Sequence, residues 1–580
     1  MVSKQFAGLA VALIVLVMIS FSLSSSVVYG TASDTSRFDV RAITTDSYEV
    51  GANDFRISDM GPDGDTEFGA GSPFVAHNST DNEYLVVWPG FDEGRSGVEI
   101  YGQRIDATTG EEVGTNDFQI SQISSGDNPD IRVFGVDVVY NHSSDEFLVI
   151  WTGTTIIRDS EPTVVPRLYG QRIDAATGAE VGENDFLIGE ASDVTGRWPV
   201  VTYNSVANEY LVAWEGNIAT GPEAELIGQR LSAQGTPVTG DIFTISTMIP
   251  GGIDIAFNSA DQEYIVVWDG FDPDTGKEIY GQLLDSSGTE IGADDFRISN
   301  FQVFPDLSFS VNNPAVVYNN TAQEYMVVWS GGLDDIIGIN IEIYGQRLSP
   351  DGMELGEDDL LISTTGSVDP ESAYVASLPA LSYNSRNNEY LVTWEVDNFS
   401  IVMEDEEYEI FGQRLDGTTA AEIGIDDFRI SDTGPEGDEA YNAFSPSIAH
   451  NGLNDEYLVV WSGDDNTGDL VDGEFEIYGQ RLNAQPDIVP TATPTQATPN
   501  TTPTLEPVVT ATPTLELITT ATSEPVATAT PTITATATSE PVVTATATST
   551  NPAMPTATVS PTTDVPPGGP SRVFLPLTIR

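Results

Sequence analysis

The chain has 580 residues, no cysteine and a formal charge of −68 at pH 7. Without cysteine it can hold neither disulfides nor thiolate metal sites. So negative a chain repels nucleic acid and anionic lipid, and we therefore predict neither a nucleic-acid partner nor direct binding to an anionic membrane.

The N-terminus has the pattern of a secretory signal, which we place at residues 1–32. Lys4 precedes an apolar run from Phe6 to Phe21, and small residues follow as far as Ala32. The alternative is an uncleaved anchor, although about sixteen apolar residues are few for a helix that spans a membrane. Residues 33–47 are predicted to be a linker.

Residues 48–485 contain seven copies of one pattern. Each copy has an acidic, aromatic and aliphatic run that ends in Trp, followed later by a segment with Gly-Gln, most often after an aromatic residue. A repeat of nearly fixed period determines the architecture before any local feature does. The recurrent Trp residues, about 54 to 67 positions apart, are Trp88, Trp151, Trp214, Trp268, Trp329, Trp394 and Trp461.

Each copy contains four short strand-like segments separated by turn residues. The fourth segment reads Asp-Phe-x-Ile-Ser, and an extra version at Asp54–Ser58 precedes the first complete copy, whereas the seventh copy stops after Leu482. An open solenoid gains nothing from this offset. We therefore predict an all-β fold: a seven-bladed β-propeller of four-stranded antiparallel blades, closed by an N-terminal strand that completes blade seven.

The recurrent side chains are predicted to be scaffold. Trp in the second strand suits a core between blades, with a ligand cage as the alternative. In six copies Glu opens the second strand and Arg closes the third, which brings the two together in an antiparallel hairpin. We predict a structural clamp; the alternative is an Arg head in solvent. The pairs are Glu83–Arg104, Glu146–Arg172, Glu209–Arg230, Glu324–Arg347, Glu389–Arg414 and Glu456–Arg481.

Acidic loops between the second and third strands are candidate calcium sites. One set is Asp272, Asp274 and Glu278, and the other is Asp464, Asp465 and Asp469. Carboxylate oxygens suit Ca²⁺. The alternative is solvated loop charge, which serves solubility.

Evidence for catalysis is weak in the sequence. The chain has three histidines, and His77 and His450 occupy the same repeat position, which indicates scaffold. A nucleophile–base pair or a His-ligated metal is therefore not predicted. Glycoside chemistry with two carboxylates stays open, because an acidic propeller supplies candidate pairs. The Asp-box turn of sialidases does not occur.

The C-terminal part changes composition abruptly. Residues 486–571 are rich in Thr and Pro, cannot bury a core and are predicted to form an extended linker. Residues 572–580 regain apolar character, and they resemble the short apolar tails that follow Thr/Pro-rich linkers in secreted bacterial surface proteins. That resemblance implies retention at the cell surface; the alternative is a frayed terminus.

Residues 48–485 resemble secreted bacterial β-propellers as a class. We therefore predict a monomeric, secreted protein, retained at the bacterial surface, that acts as a non-enzymatic binding or adhesion module. Its predicted ligand is an extracellular protein or glycan. The alternative function is an extracellular polysaccharide-acting hydrolase or lyase that uses propeller carboxylates.

Overall fold

The computed structural model describes the repeat region in fourteen stretches. The predicted signal, both linkers and the apolar terminal motif lie outside the described residues. The described stretches are 48–92, 97–123, 132–158, 162–189, 195–217, 224–238, 242–272, 276–300, 308–335, 338–364, 372–400, 408–434, 440–466 and 470–484.

Every regular element in these stretches is a β-strand, and the strands fall into repeating units. Strand β1 spans Glu49–Arg56. Unit 1 contains β2 (Gly69–Ala70), β3 (Phe74–Asn78), β4 (Glu83–Phe91), β5 (Glu99–Asp106) and β6 (Glu112–Gln119). Unit 2 contains β7 (Val133–Asn141), β8 (Glu146–Arg158), β9 (Pro162–Asp174) and β10 (Glu180–Ile188). Unit 3 contains β11 (Thr195–Asn204), β12 (Glu209–Asn217), β13 (Glu225–Ser232) and β14 (Phe243–Ser246).

The remaining units follow the same order. Unit 4 contains β15 (Ile253–Asn258), β16 (Glu263–Asp272), β17 (Gly276–Asp285) and β18 (Glu290–Arg297). Unit 5 contains β19 (Ser308–Asn319), β20 (Glu324–Asp335), β21 (Gly338–Leu348) and β22 (Glu354–Leu361). Unit 6 contains β23 (Ser372–Asn384), β24 (Glu389–Ser400), β25 (Tyr408–Asp416) and β26 (Glu422–Arg429). Unit 7 contains β27 (Asn442–Asn451), β28 (Glu456–Asp464) and β29 (Glu476–Asn483).

Within each unit, antiparallel pairing follows chain order. In unit 1 the short β2 also pairs with β4. Strand β1 pairs with β29, so the N-terminal strand is the fourth strand of unit 7. Units 5 and 6 share one sheet through a short parallel contact between β21 and β23.

The second strand of each unit is apolar on both faces, which explains its central place. All seven recurrent Trp side chains are 0% exposed, as the core interpretation predicts. The turn before this strand is set by the recurrent Asn: in unit 1, Asn78 Oδ1 accepts the N–H groups of Thr80 and Asp81. Such a side chain replaces backbone partners within a tight turn.

The hydrophobic cores lie between successive units rather than within them. Leu85 and Val87 of unit 1 pack with Trp151 of unit 2, and Leu458 and Val460 of unit 7 pack with Trp88 of unit 1. A four-stranded sheet with two apolar faces needs a neighbour on each side, because exposed apolar area costs about 25 cal/mol per Å².

The predicted clamps are confirmed in all six pairs. Arg172 Nη2 lies 2.8 Å from Glu146, Arg347 Nη2 lies 2.7 Å from Glu324, and Arg481 Nη2 lies 2.7 Å from Glu456. The pairs in units 1, 3 and 6 are also in contact. These arginines therefore belong to the scaffold.

The all-β prediction is confirmed for the described residues. The finer assignment, seven blades closed into one ring, stays a prediction at this level. In the described stretches no helix is long and apolar enough to cross a membrane.

Candidate functional site

The first strands of the units bring together one set of side chains. Apart from β23, which also pairs briefly with β21, each first strand lies at the edge of its sheet. Every first strand contacts the first strand of the next unit, including β27 with β3. We call the residue four positions before the recurrent Asn the axial position. The axial residues are Phe74, Asp137, Val200, Asp254, Ala315, Ala380 and Ser447.

Two axial residues, Asp137 and Asp254, are held in the same way. Oδ1 of Asp137 accepts the N–H of Val138 at 2.7 Å, and Oδ2 accepts the N–H of Val201 in unit 3, also at 2.7 Å. Each carboxylate thus joins its own first strand to that of the next unit.

Asp254 repeats this arrangement two units further on. It accepts the N–H of Ile255 at 2.8 Å and the N–H of Val316, in unit 5, at 2.7 Å. Both carboxylates use backbone N–H groups at the free edge of a first strand, so they are fixed by main chain rather than by flexible side chains.

Both carboxyl groups have a pKa raised to about 7, and burial is the main cause. The N–H of Val201 lowers the pKa of Asp137, and the negative charge of Asp254 raises it. For Asp254 the hydrogen bonds from Val316 and Ile255 oppose the effect of burial. Both residues nevertheless are only half-buried as a whole. Two carboxyl groups that titrate near neutrality, one of them under the influence of the other's charge, are suited to proton transfer.

Asp269 and Lys277 lie in the same unit as Asp254. Asp269 follows the recurrent Trp of β16 and is 1% exposed; its Oδ1 accepts the N–H of Gly252 at 2.6 Å and that of Asn313 at 3.2 Å. Lys277 Nζ lies 2.8 Å from Oδ2. Because Lys277 balances its charge and its Oδ1 binds the N–H of Asn313 in the neighbouring unit, Asp269 is a structural tie.

The first predicted calcium set is only partly described. Asp274 lies outside the described residues, and Asp272 ends β16. Glu278 is 1% exposed within β17, where it accepts the Ser299 hydroxyl at 2.5 Å and lies 4.0 Å from Arg297. The same contact joins Ser121 to Glu99 and Ser363 to Glu342, so Glu278 holds the third and fourth strands together.

The second predicted calcium set keeps two described members. Asp469 lies outside the described residues. Asp464 is 2% exposed, accepts the N–H of Gly473 at 2.7 Å, and burial raises its pKa to about 6. One carboxylate oxygen each of Asp464 and Asp465, and Oδ1 of Asn466, are buried without a hydrogen-bond partner.

In the part of the chain that the structure describes, no group of three or more His, Asp or Glu side chains could hold a metal ion. Calcium binding therefore stays a prediction, and among the described members of the two predicted sets only the segment at Asp464 has unsatisfied oxygens that favour it.

Asp137 and Asp254 were missed by the sequence analysis, which looked for carboxylates in the variable loops. The available signal was the repeat itself. Aligned on the recurrent Asn, only these two units carry an acid at a position that is otherwise Phe, Val, Ala or Ser.

No protein-family model matches the chain, and no curated protein matches its sequence. Several solved structures are similar to it. The α-L-arabinofuranosidase of Fusarium graminearum, solved with an iminosugar inhibitor, is 11% identical over 74% of this chain and 98% of its own, with a TM-score of 0.34.

Two further solved structures are similar to this chain to about the same extent. The Penicillium chrysogenum α-L-arabinanase with arabinobiose is 8% identical over 75% of this chain and 99% of its own, with a TM-score of 0.33. An N-acetylgalactosamine deacetylase from F. plautii is 10% identical over 75% of this chain and 96% of its own, also with a TM-score of 0.33. At these values no residue role transfers from them to this chain.

All three similar structures are of enzymes that act on glycans, and this finding corrects the main functional prediction. The interpretation as a non-enzymatic binding or adhesion module is wrong. It rested on the Thr/Pro-rich linker and on the scarcity of His. Neither feature excludes a reaction that carboxyl groups carry out.

Proposed function

We propose that the chain is an extracellular polysaccharide-acting hydrolase whose reacting groups are Asp137 and Asp254. The observation that carries this proposal is that two backbone-anchored carboxyl groups with raised pKa occupy equivalent positions, and that each is influenced by burial in the same way. Most enzymes that hydrolyse glycosidic bonds use a pair of carboxyl groups.

The proposed scaffold for the pair is a closed seven-bladed propeller. Seven four-stranded units, cores between successive units, and the pairing of β1 with β29 support this arrangement. In such a ring the first strands surround the axis, and Asp137 and Asp254 stand two blades apart around it. A glycan chain would then approach from the face that carries the variable loops between second and third strands.

The two carboxyl groups take different parts in the proposed reaction. One carboxyl group keeps its proton because the negative charge of the other opposes its ionisation, and we assign this part to Asp137, whose pKa the charge of Asp254 raises. Asp137 donates the proton to the glycosidic oxygen as the bond from that oxygen to the anomeric carbon breaks. Asp254, ionised, accepts a proton from the water whose oxygen bonds to the anomeric carbon, or attacks that carbon itself. When water is the nucleophile, proton transfer from Asp254 back to Asp137 restores the pair. When Asp254 attacks, water then bonds to the anomeric carbon and gives its proton to Asp137, and Asp254 leaves as a carboxylate.

Several features of the sequence complete the proposal. The apolar N-terminal segment directs export, and the Thr/Pro-rich linker with its apolar end holds the catalytic part at the bacterial surface. Calcium at the loop of Asp464 and Asp465 would neutralise unsatisfied oxygens there. A monomer is sufficient, because both carboxyl groups come from one chain.

Turnover of a glycan panel tests the function. The panel contains neutral arabinan, xylan and cellulose oligosaccharides, acidic oligogalacturonate and cationic chitosan oligosaccharides. We expect turnover of a neutral or cationic member and little of oligogalacturonate, because the charge of −68 repels it. Asp137→Asn and Asp254→Asn should each lower kcat by at least about 100-fold, the contribution of one general acid or base.

Asp261→Asn is the matched control, since Asp261 is an exposed acid in the turn after β15, at the other end of the strand that carries Asp254. This variant should keep full turnover. The proposal fails if the wild-type chain turns over no member of the panel, or if both axial variants retain wild-type rates.

A further inference from the structure

Trp198 is the one tryptophan of eight that stands outside the recurrent pattern. The other seven are 0% exposed, whereas Trp198 is 51% exposed. Burial of a large aromatic side chain would stabilise the fold by about 2 kcal/mol or more. The exposure of Trp198 therefore needs a separate explanation.

The backbone at Trp198 adopts an unusual conformation. Its φ is +52°, and the pairing of β11 with β12 is shifted between Arg197 and Val200, as in a β-bulge. Bulky residues rarely adopt positive φ, and such strain tends to occur at ligand-binding sites.

Positive φ recurs at the equivalent place in or just before five other first strands, two residues before the axial position. None of the residues there is aromatic in the other units. They are Ser72, Gly135, Asn313, Leu378 and Ser445, with Gly252 at the corresponding place in unit 4. The bulge is thus a property of the fold, and the aromatic ring at this place is particular to unit 3.

Trp198 packs on β7, the strand that carries Asp137. Its ring packs against Phe134 with 5.0 Å between centroids and an interplanar angle of 59°. It also covers Gly135, where an added Cβ would lie 3.0 Å from Trp198 Cε3. Three residues further along β11, Val201 donates its N–H to Asp137. The exposed indole therefore covers Gly135, which lies two residues before Asp137 on β7.

We infer that Trp198, packed against Phe134, is the platform on which one sugar ring of the glycan stacks, next to Asp137. This inference rests on the proposed function and adds a binding subsite to it. The flat apolar face of an indole matches the C–H face of a pyranose or furanose ring, and its support by Phe134 and Gly135 keeps it oriented before the glycan arrives. The bulge turns the ring out of the inter-unit core.

Oxidation of Trp198 by N-bromosuccinimide measures its occupancy directly. Among the recurrent tryptophans the indoles are fully buried, so peptide mass analysis should find the added oxygen first at Trp198. Saturating amounts of the oligosaccharide that the enzyme turns over should slow this oxidation at least about tenfold. An unchanged rate of oxidation would overturn the inference.

Kinetics of substituted chains give the second readout. Trp198→Ala should raise KM about tenfold, the size of one aromatic stacking contact, whereas Trp198→Phe should recover most of the loss. Val206→Ala, an exposed residue in the turn at the other end of β11, is the control and should leave KM unchanged. Equal KM for Trp198→Ala and the wild type would contradict the platform.

The two proposals fail in different ways. Protection of Trp198 by a glycan that is never cleaved supports the platform and contradicts the hydrolase. Cleavage that depends on Asp254, without protection of Trp198 and with unchanged KM, supports the hydrolase and contradicts the platform. A panel that is neither bound nor cleaved contradicts both.

Discussion

The backbone N–H of Asp59 donates to Oδ2 of Asp117 at 2.7 Å, which ties the segment after β1 to the fourth strand of unit 1. On the other side, Asp54 of β1 accepts the N–H of Asp432, which follows unit 6, at 2.7 Å. The N-terminal strand is thus bonded to segments from both ends of the repeat region.

Deletion of residues 1–58 should therefore destabilise the protein strongly. It removes β1, leaves β29 with an unpaired edge and exposes apolar surface, so we expect a lower melting temperature and aggregation. Deletion of everything after Gln485 is the control and should leave the melting temperature nearly unchanged. Equal melting of the two truncated chains would argue against a closed ring.

Asp427 illustrates how the contacts between units respond to pH. Its Oδ2 accepts the N–H of Thr364 at 2.8 Å, while Oδ1 is buried without a hydrogen-bond partner. Burial, together with the charges of Asp426 and Glu342, raises its pKa to about 7 from 3.8. The equivalent Asp117 and Asp359 also have a pKa raised to about 7, mainly by burial.

A raised pKa in the folded state means that folding takes up protons. The resulting stabilisation is complete below pH 3.8, declines above it, and is lost as the pH passes the folded-state pKa of about 7. We expect the melting temperature to fall between pH 5 and pH 8 at constant ionic strength. A melting temperature that rises over this range would contradict the assignment.

Asp427→Asn isolates one such contact. Asn can accept the same N–H, carries no charge and tolerates the φ of +43° found there. The variant should therefore melt higher than the wild type at pH 8, and the difference should be much smaller at pH 5, as measured by calorimetry. Asp261→Asn, at an exposed turn, should show no difference at either pH, and the same result for Asp427→Asn would exclude a buried charge at this position.

Trp268→Ala tests the interpretation of the recurrent tryptophans as core. Trp268 is fully buried and stacks on Tyr280 with 6.2 Å between centroids. Its removal should cost about 3 to 5 kcal/mol of unfolding free energy, measured by denaturant titration. Phe271→Ala is the matched control, because Phe271 lies on the same strand and is 68% exposed; equal midpoints for the two variants would contradict the core assignment.

The sequence was sufficient for the scaffold because the scaffold is periodic. The Trp at position 268 recurs in seven copies and the pair Glu324–Arg347 in six, and this recurrence predicted that both belong to the scaffold. The structure confirms both roles. Glu278 shows the limit of that reasoning. Close spacing to Asp272 suggested a loop ligand, but the alternation of β17 turns Glu278 inward to Ser299.

The candidate site could be read only after the units were aligned and stacked. Asp137 and Asp254 lie 117 positions apart in the chain, and they are recognised as a pair only because β11 contacts both of the strands that carry them, β7 and β15. Trp198 could not be recognised from the repeat because it has no equivalent Trp in the other units. Its exposure goes with a β-bulge, which residue propensities do not predict.

Calcium binding at Asp464 and Asp465 remains a prediction with a clear outcome. Millimolar Ca²⁺ should raise the melting temperature by several degrees relative to EDTA, because a cation would neutralise the buried unpartnered oxygens there. Asp464→Asn should abolish the increase, and Asp272→Asn should not. Equal melting temperatures of the wild type in Ca²⁺ and in EDTA would contradict calcium binding at this segment.

The most direct test of the account is the fate of water oxygen during turnover. A glycan from the panel that the wild-type chain cleaves is incubated in heavy-oxygen water, and the new reducing ends are examined by mass spectrometry. We predict one heavy oxygen at each new reducing end for the wild type and for Asp261→Asn, and loss of labelled product for Asp137→Asn and Asp254→Asn. Unlabelled, unsaturated ends would identify a lyase, and undiminished labelling by both axial variants would contradict the assignment of Asp137 and Asp254 as the reacting pair.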